Sequence, residues 1–281
     1  MKNKKKVSGN ELEQRYERYK DTLKNLTIMS DIFMRNIFKK RECVEYVLRI
    51  IMEKADLEIL EHTVQKDYKN LQGRSAILDC VAKDAKDNRY NVEIQQESEG
   101  ASYKRARYHS GLLDMNTLNP GQDFEELPDS YVIFITREDI PGYGLPIYHA
   151  DRIIRENGER FGDGSHIIYV NSEVQDQTAL GKLMHDMHCR NADEMYSEIL
   201  AQRVYELKET EEGIDTMCEE MEKIYSEGEA CGEARGEYRG RVETKKNTAK
   251  ALADKKMPLT EIAEVLGEKE ETVEEWLLEK V

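Results

Sequence analysis

Cysteine, long apolar runs and net positive charge are all in short supply in this 281-residue sequence. The five cysteines (Cys43, Cys80, Cys189, Cys218, Cys231) are odd in number, scattered, and form no Cys-x-x-Cys pair. That argues against a disulfide framework and fits a reducing compartment, so a cytoplasmic protein is expected. No stretch approaches ~18 apolar residues, which excludes a transmembrane helix and makes the membrane an unexpected partner. The opening MKNKKKVSGNELEQ has a basic tip with no apolar stretch behind it, and it is not expected to be a signal peptide. Asp and Glu number 57 against 42 Lys and Arg, a formal net charge of −15. On that balance alone nucleic acid is a poor partner, because phosphate-backbone binding is driven by Lys and Arg.

What is present is patterned. Apolar residues make up 39% of the chain and cluster into segments, so a folded core is expected. Acidic residues dominate from Glu206 to Glu237, whereas basic clusters lie at Lys2 to Lys6, Lys39 to Arg41 and Lys104 to Arg107. Ser30–Met52 reads as one amphipathic helix capped by Ser30 or Asp31. Leu57–Val64 has the alternation of a strand. Ser75–Asp84 and Tyr90–Gln96, around Lys86-Asp87-Asn88, read as a β-hairpin. Glu99–Thr117 is helical in pattern, and Ser130–Thr136 is a continuously apolar strand. Leu145–Ile154 and His166–Asn171 flank a Phe161-Gly-Asp-Gly-Ser turn, and helices resume from Gln177 to Lys208. The expected organisation is a flexible basic segment (1–24), one α/β domain (25–208), a Gly-interrupted acidic helical arm (209–248) and a small helical unit (249–281).

The first hairpin carries the candidate chemistry. A loop centred near Lys86 places Asp79 opposite Glu93, and strand alternation puts Glu93 and Gln95 on one face with Val92 and Ile94 on the other. An Asp flanked by Leu78 and Cys80 is costly to bury unless it is paired or metal-bound. Two carboxylates converging on one spot repel each other, and a divalent cation resolves the repulsion; Mg²⁺ takes one or two carboxylates plus water and phosphate oxygens.

Asp79, thirteen intervening residues and then Glu93-Ile-Gln95 resembles the active-site motif of the PD-(D/E)XK nuclease superfamily. More closely, it is similar to the recombination-promoting nuclease and putative transposase family. The Asp31-Ile-Phe33 helix start, the Arg105-Ala-Arg107-Tyr108 segment, Phe161–Asn171, the Gly-repeat arm and Leu259–Gly267 extend the resemblance over roughly residues 25 to 281. It implies an α/β, restriction-endonuclease-like mixed sheet flanked by helices, with an all-helical C-terminal arm. It also implies metal-dependent hydrolysis of DNA phosphodiesters, with low sequence specificity, in recombination or transposition of mobile elements. Asp79 and Glu93 would be the Mg²⁺ ligands, with Mn²⁺ as a substitute. Gln95 would orient the attacking water or contact the scissile phosphate. Gln stands where the superfamily more often has Lys; it brings no charge, so its role is hydrogen bonding, and Lys83 and Lys104 are candidates for the missing cation. That substitution keeps open an alternative, a catalytically weak nucleic-acid-binding or assembly protein that retains the fold.

Lys104, Arg105, Arg107 and Tyr108 are expected against the DNA backbone. His185, His188 and Cys189 share a helix face but lack a fourth ligand, so no zinc site is expected. Gly228, Gly232, Gly236 and Gly240 repeat every four residues, each costing about 1 kcal/mol of helix propensity relative to Ala, and self-association through that stripe is the expected compensation. The terminal unit resembles a helix-turn-helix, but Glu270, Glu271, Glu274, Glu275 and Glu279 would meet phosphate with like charge, so it is read as a packing module.

Overall fold

The structure, a computed structural model, describes residues 9–68 and 76–278. The Lys2–Lys6 tip, the Ser75 start of the second strand and Glu279 lie outside the described residues.

Turn chemistry sets the register on which the site depends. Strands β2 (Ala76–Asp84) and β3 (Arg89–Gln95) are antiparallel. Asp84 organises the turn between them: Oδ1 accepts from the Lys86 and Asn88 N–H groups at 2.9 Å each, and Oδ2 accepts from Asn88 Nδ2 and the Tyr90 hydroxyl, also at 2.9 Å. Asp87 takes the left-handed conformation (φ 66°) that Asp tolerates better than most residues. A one-residue slip would break these bonds and turn every side chain to the other face. Cys80 pairs with Val92, Val81 with Asn91 and Ala82 with Tyr90; one step further along, Asp79 faces Glu93.

Around this hairpin the sheet has six strands in the order β1-β2-β3-β4-β6-β5. β1 (Ile59–Tyr68) is antiparallel to β2, while β3, β4 (Ser130–Thr136) and β6 (Ser165–Asn171) run parallel. The short β5 (Ile147–Ala150) closes the sheet antiparallel to β6. Every residue of β4 is buried, as a parallel strand covered on both faces requires. On one face Val132, Phe134 and Tyr169 pack with Ala106 of helix α4 (Tyr103–Met115) and with Ala101 just before it. On the other face Tyr131 stacks between Tyr90 and His166, with ring centroids 5.0 and 4.7 Å away.

The single helix expected over Ser30–Met52 is two, α2 (Asp31–Ile37) and α3 (Arg41–Ile51). Phe38 at the break is fully buried, and Lys40 is extended (φ −88°, ψ 119°), its carbonyl accepting from the Cys43 and Val44 N–H groups to start the second helix. Burying a Phe contributes about 1.5–3 kcal/mol, enough to offset the interrupted helical hydrogen bonding. Upstream, Gly9–Asn25 form helix α1 with Leu23 buried, so the segment expected to be flexible is helical from Gly9 onward. Helices α5 (Ala179–His188) and α6 (Glu198–Glu209) complete this part, and α3 packs against both of them and against β1.

By internal contacts the chain divides into Met1–Glu219 and Glu220–Val281, within helix α7 (Glu211–Asp254). The second unit has its own core, in which Ala249, Ile262, Ala263, Val273 and Trp276 join α7 to α8 (Leu259–Leu266) and α9 (Glu270–Leu278). Gly267 ends α8 in the left-handed conformation (φ 63°), the usual glycine C-terminal stop. α7 runs unbroken through Gly228, Gly232, Gly236 and Gly240, where an added Cβ would meet nothing within 4 Å. Among the described residues no helix is long and apolar enough to cross a membrane.

Candidate active site

The hairpin register brings the two expected metal ligands into mutual contact. The Asp79 N–H donates to Glu93 Oε1 at 3.2 Å, and the N–H of Ile94 donates to Asp79 Oδ2 at 3.3 Å. Each carboxylate is thus fixed by the backbone of the other strand. Glu93 is fully buried, whereas Asp79 is half-buried at the wall of a cleft of about 570 Å³. Burial first, then the facing carboxylates of Glu93 and Asp31, push Asp79 up to about 7; the Ile94 N–H and Arg105 pull the other way without cancelling the shift.

Three buried polar atoms beside this pair have no hydrogen-bond partner: Glu93 Oε2, Asn91 Oδ1 and His109 Nδ1. Such atoms are rare in a native interior and call for an explanation. A carboxylate oxygen left unsatisfied next to a second, half-exposed carboxylate is a hard oxygen donor pair, which suits Mg²⁺ or Mn²⁺. Residues present therefore fit the implied metal.

Surrounding side chains come from β3 itself and from three further elements, α4, α2 and β1. Arg105 of α4 places a guanidinium nitrogen 3.6 Å from Glu93 Oε2 and donates from Nε to His109 Nε2 at 3.4 Å. His109, one turn on and buried, faces Glu93 Oε1 at 3.4 Å. Gln95 lines the cleft with its carboxamide against Gly100, where an added Cβ would lie 2.1 Å from Oε1. Asp31 begins α2, pairs with Arg35, and lines the same cleft together with Gln65 of β1.

Other expected residues lie elsewhere. Lys104, Arg107 and Tyr108 are exposed on α4 and do not line the cleft; of that basic segment Arg105 alone does. Lys83 is held at the turn end of the hairpin by Asp87 at 2.5 Å and Glu61 at 3.9 Å. The cation at the carboxylates is therefore Arg105, not Lys83 or Lys104. Reading the sequence missed Asn91 and His109, although the signals were there: Asn91 is two residues before Glu93 on a strand, and His109 four after Arg105 on a helix. Of the two expected caps, Ser30 holds the N-cap position, without a side-chain capping bond, and Asp31 is the first residue of the helix.

His185, Asp186 and Cys189 place ligand atoms within 4.8 Å of one another. Asp186, fully buried, is already satisfied by the N–H groups of Tyr196 at 2.8 Å and Ser197 at 2.9 Å. Burial pushes the Cys189 thiol up to about 12, far from the thiolate a metal takes. His188 is bonded instead to Ser172 Oγ at 2.9 Å. This cluster clasps the α5–α6 connection.

Comparison with known proteins adds one positive result. The model of the family described as PD-(D/E)XK nuclease family transposase matches residues 44–225, which include both interlocked carboxylates, Gln95 and Arg105. No curated protein and no solved structure matches the chain. A match over more than half of the sequence, on a mixed sheet flanked by helices, settles its kinship: the chain belongs to the PD-(D/E)XK nuclease family transposases.

Proposed function

We propose that the protein is a metal-dependent DNA endonuclease that hydrolyses phosphodiester bonds with low sequence specificity during recombination or transposition of mobile elements. The observation that carries this reading is the interlock of Asp79 and Glu93, with a buried Glu93 oxygen left without a hydrogen bond. A divalent cation held by these two carboxylates would supply a nucleophilic water at neutral pH and offset charge on the scissile phosphate. Gln95, seated on Gly100, hydrogen-bonds the attacking water or a phosphate oxygen. Arg105 supplies the positive charge that Gln95 lacks, facing both Glu93 and the cleft. Lys104, Arg107 and Tyr108, exposed on the same helix, extend the contact along the DNA backbone. The acidic α9, whose Glu270, Glu271, Glu274 and Glu275 are unsuited to reading bases, supports the low specificity of this reading. Five free cysteines suit work in the cytoplasm.

Incubation with two unrelated supercoiled plasmids in Mg²⁺, Mn²⁺ or EDTA tests the proposal. Nicked and linear products from both plasmids in either metal, and none in EDTA, are expected. Binding to DNA with no cleavage in any metal would point instead to an assembly role.

A further inference from the structure

Among the described residues four non-glycines have positive φ: Glu53, Gln65, Asp87 and Lys256. Three of them stand where the chain turns. Glu53 follows α3, Asp87 lies in the β2–β3 turn and Lys256 follows α7. Gln65 is different, because it lies inside β1 with φ 55°. Left-handed backbone is strained for a side chain of this kind and free of strain for glycine. Such strain persists only where the surroundings enforce it, and it clusters at sites of function.

The position of the irregularity is specific. β1 pairs with β2 as Thr63–Val81 and Val64–Cys80, then resumes as Lys66–Leu78 and Asp67–Ile77. The pair left out is Gln65–Asp79. Among the described residues, the one non-glycine of positive φ within a strand thus lies across from the carboxylate that opens into the cleft. Gln65 is exposed and lines that same cleft with Asp79, Gln95 and Arg105. Its carboxamide forms no hydrogen bond with any described residue. The register is the same on either side of this pair, so the departure is confined to the backbone of Gln65 itself; the register shift of β1 lies elsewhere, between Ile59 and Glu61.

We infer that Gln65 contacts the DNA: its carboxamide donates a hydrogen bond to a non-bridging phosphate oxygen of the strand lying against Asp79, and its left-handed backbone opposite Asp79 holds it there. The inference rests on the nuclease reading of Asp79 and Glu93. Because the carboxamide is neutral, it adds affinity and orientation without releasing a counterion. Its loss weakens binding while leaving the salt dependence of binding unchanged.

The test compares wild type with Gln65→Gly, Gln65→Ala and Gln65→Asn in Mg²⁺-dependent plasmid cleavage, in binding of a linear duplex in EDTA at several salt concentrations, and in thermal unfolding. Gln65→Gly is expected to melt higher than wild type, because glycine relieves the strain, and yet to lose about tenfold in cleavage efficiency and in duplex affinity with the same salt slope. Gln65→Ala loses the same activity without the rise in melting temperature. Gln65→Asn, which tolerates the left-handed conformation and keeps a shorter carboxamide, recovers part of the loss. Cleavage by Gln65→Gly within twofold of wild type would overturn the contact and leave the left-handed backbone as a purely structural feature. If wild type itself cleaves no DNA, the nuclease reading fails, and the duplex affinities decide separately: an unchanged Kd for Gln65→Gly overturns the contact.

Discussion

The carboxamide oxygen of Gln95 occupies the place a side chain at position 100 would take, with a Cβ on Gly100 falling 2.1 Å from Gln95 Oε1. Gly100 thus acts as a seat for the third residue of the motif. Gly100→Ala is expected to displace the Gln95 amide. Because the displaced group is the end of a flexible side chain, stability should stay within about 1 kcal/mol of wild type. Cleavage should fall about tenfold or more, since small misplacements of a positioning group are expensive. Gln95→Ala should lose as much, and the double variant no more than either single one, a non-additivity that kinetic assays would read directly.

In metal-free protein Asp79 titrates at about 7, against an ordinary value of 3.8. The native state therefore keeps a proton that the unfolded chain has already released, and stability falls as pH rises from about 4 through 7. Asp79→Asn removes that cost and keeps an oxygen for the Ile94 N–H. In EDTA the variant should be more stable than wild type by about 1–3 kcal/mol near pH 8 and nearly equal to it below pH 4. Denaturant melts across that range check the sign, and a variant less stable than wild type at the higher pH would contradict it.

Arg105 is the cation that reaches Glu93, 3.6 Å from Oε2. Arg105→Ala should lower cleavage about 100-fold by removing charge beside the phosphate, whereas Lys104→Ala and Arg107→Ala, exposed on the same helix, should lower it only a few-fold. Single-turnover rates at fixed salt separate the three.

Lys208 ties three stretches of chain, donating to the carbonyls of Leu26 and Arg190 at 2.6 Å each and to that of Lys24 at 3.3 Å. Its stem lies by Phe33, the ammonium 5.0 Å from the ring centroid, and burial pulls its pKa down to about 8. Lys208→Met keeps the stem and abandons three carbonyls. A loss of about 2–3 kcal/mol in urea unfolding is expected, with the cleavage rate of the folded fraction unchanged.

Much of the fold could be read from local pattern. The unbroken apolar run of Ser130–Thr136 identified the buried parallel strand, and the polar turn near Lys86 set the pairing of Asp79 with Glu93. Both signals are short-range, so a single sequence suffices. The break at Phe38–Lys40 was not readable, because the three- and four-residue spacing continues across it and only tertiary burial of Phe38 explains the turn. Site residues divide along the same line. Glu93 and Gln95 follow from strand alternation and His109 shares a helix face with Arg105 at four-residue spacing, but that this face meets Glu93, and that Gln65 in β1 is left-handed, depends on tertiary packing that local periodicity does not carry. The net charge of −15 misleads for a related reason. It averages an acidic helical stretch with a cleft in which Arg35 and Arg105 stand among the carboxylates of Asp31, Asp79 and Glu97.

The most direct measurement is the single-turnover rate of DNA cleavage in Mg²⁺ by Glu93→Gln, which preserves the volume and the hydrogen bond of the interlock while removing one charge. With thermal unfolding confirming a native fold, the rate should fall about 10³-fold or more and approach the EDTA background. Cleavage at the wild-type rate by a folded Glu93→Gln protein would contradict the assignment of the Asp79–Glu93 pair as the metal-binding catalytic centre.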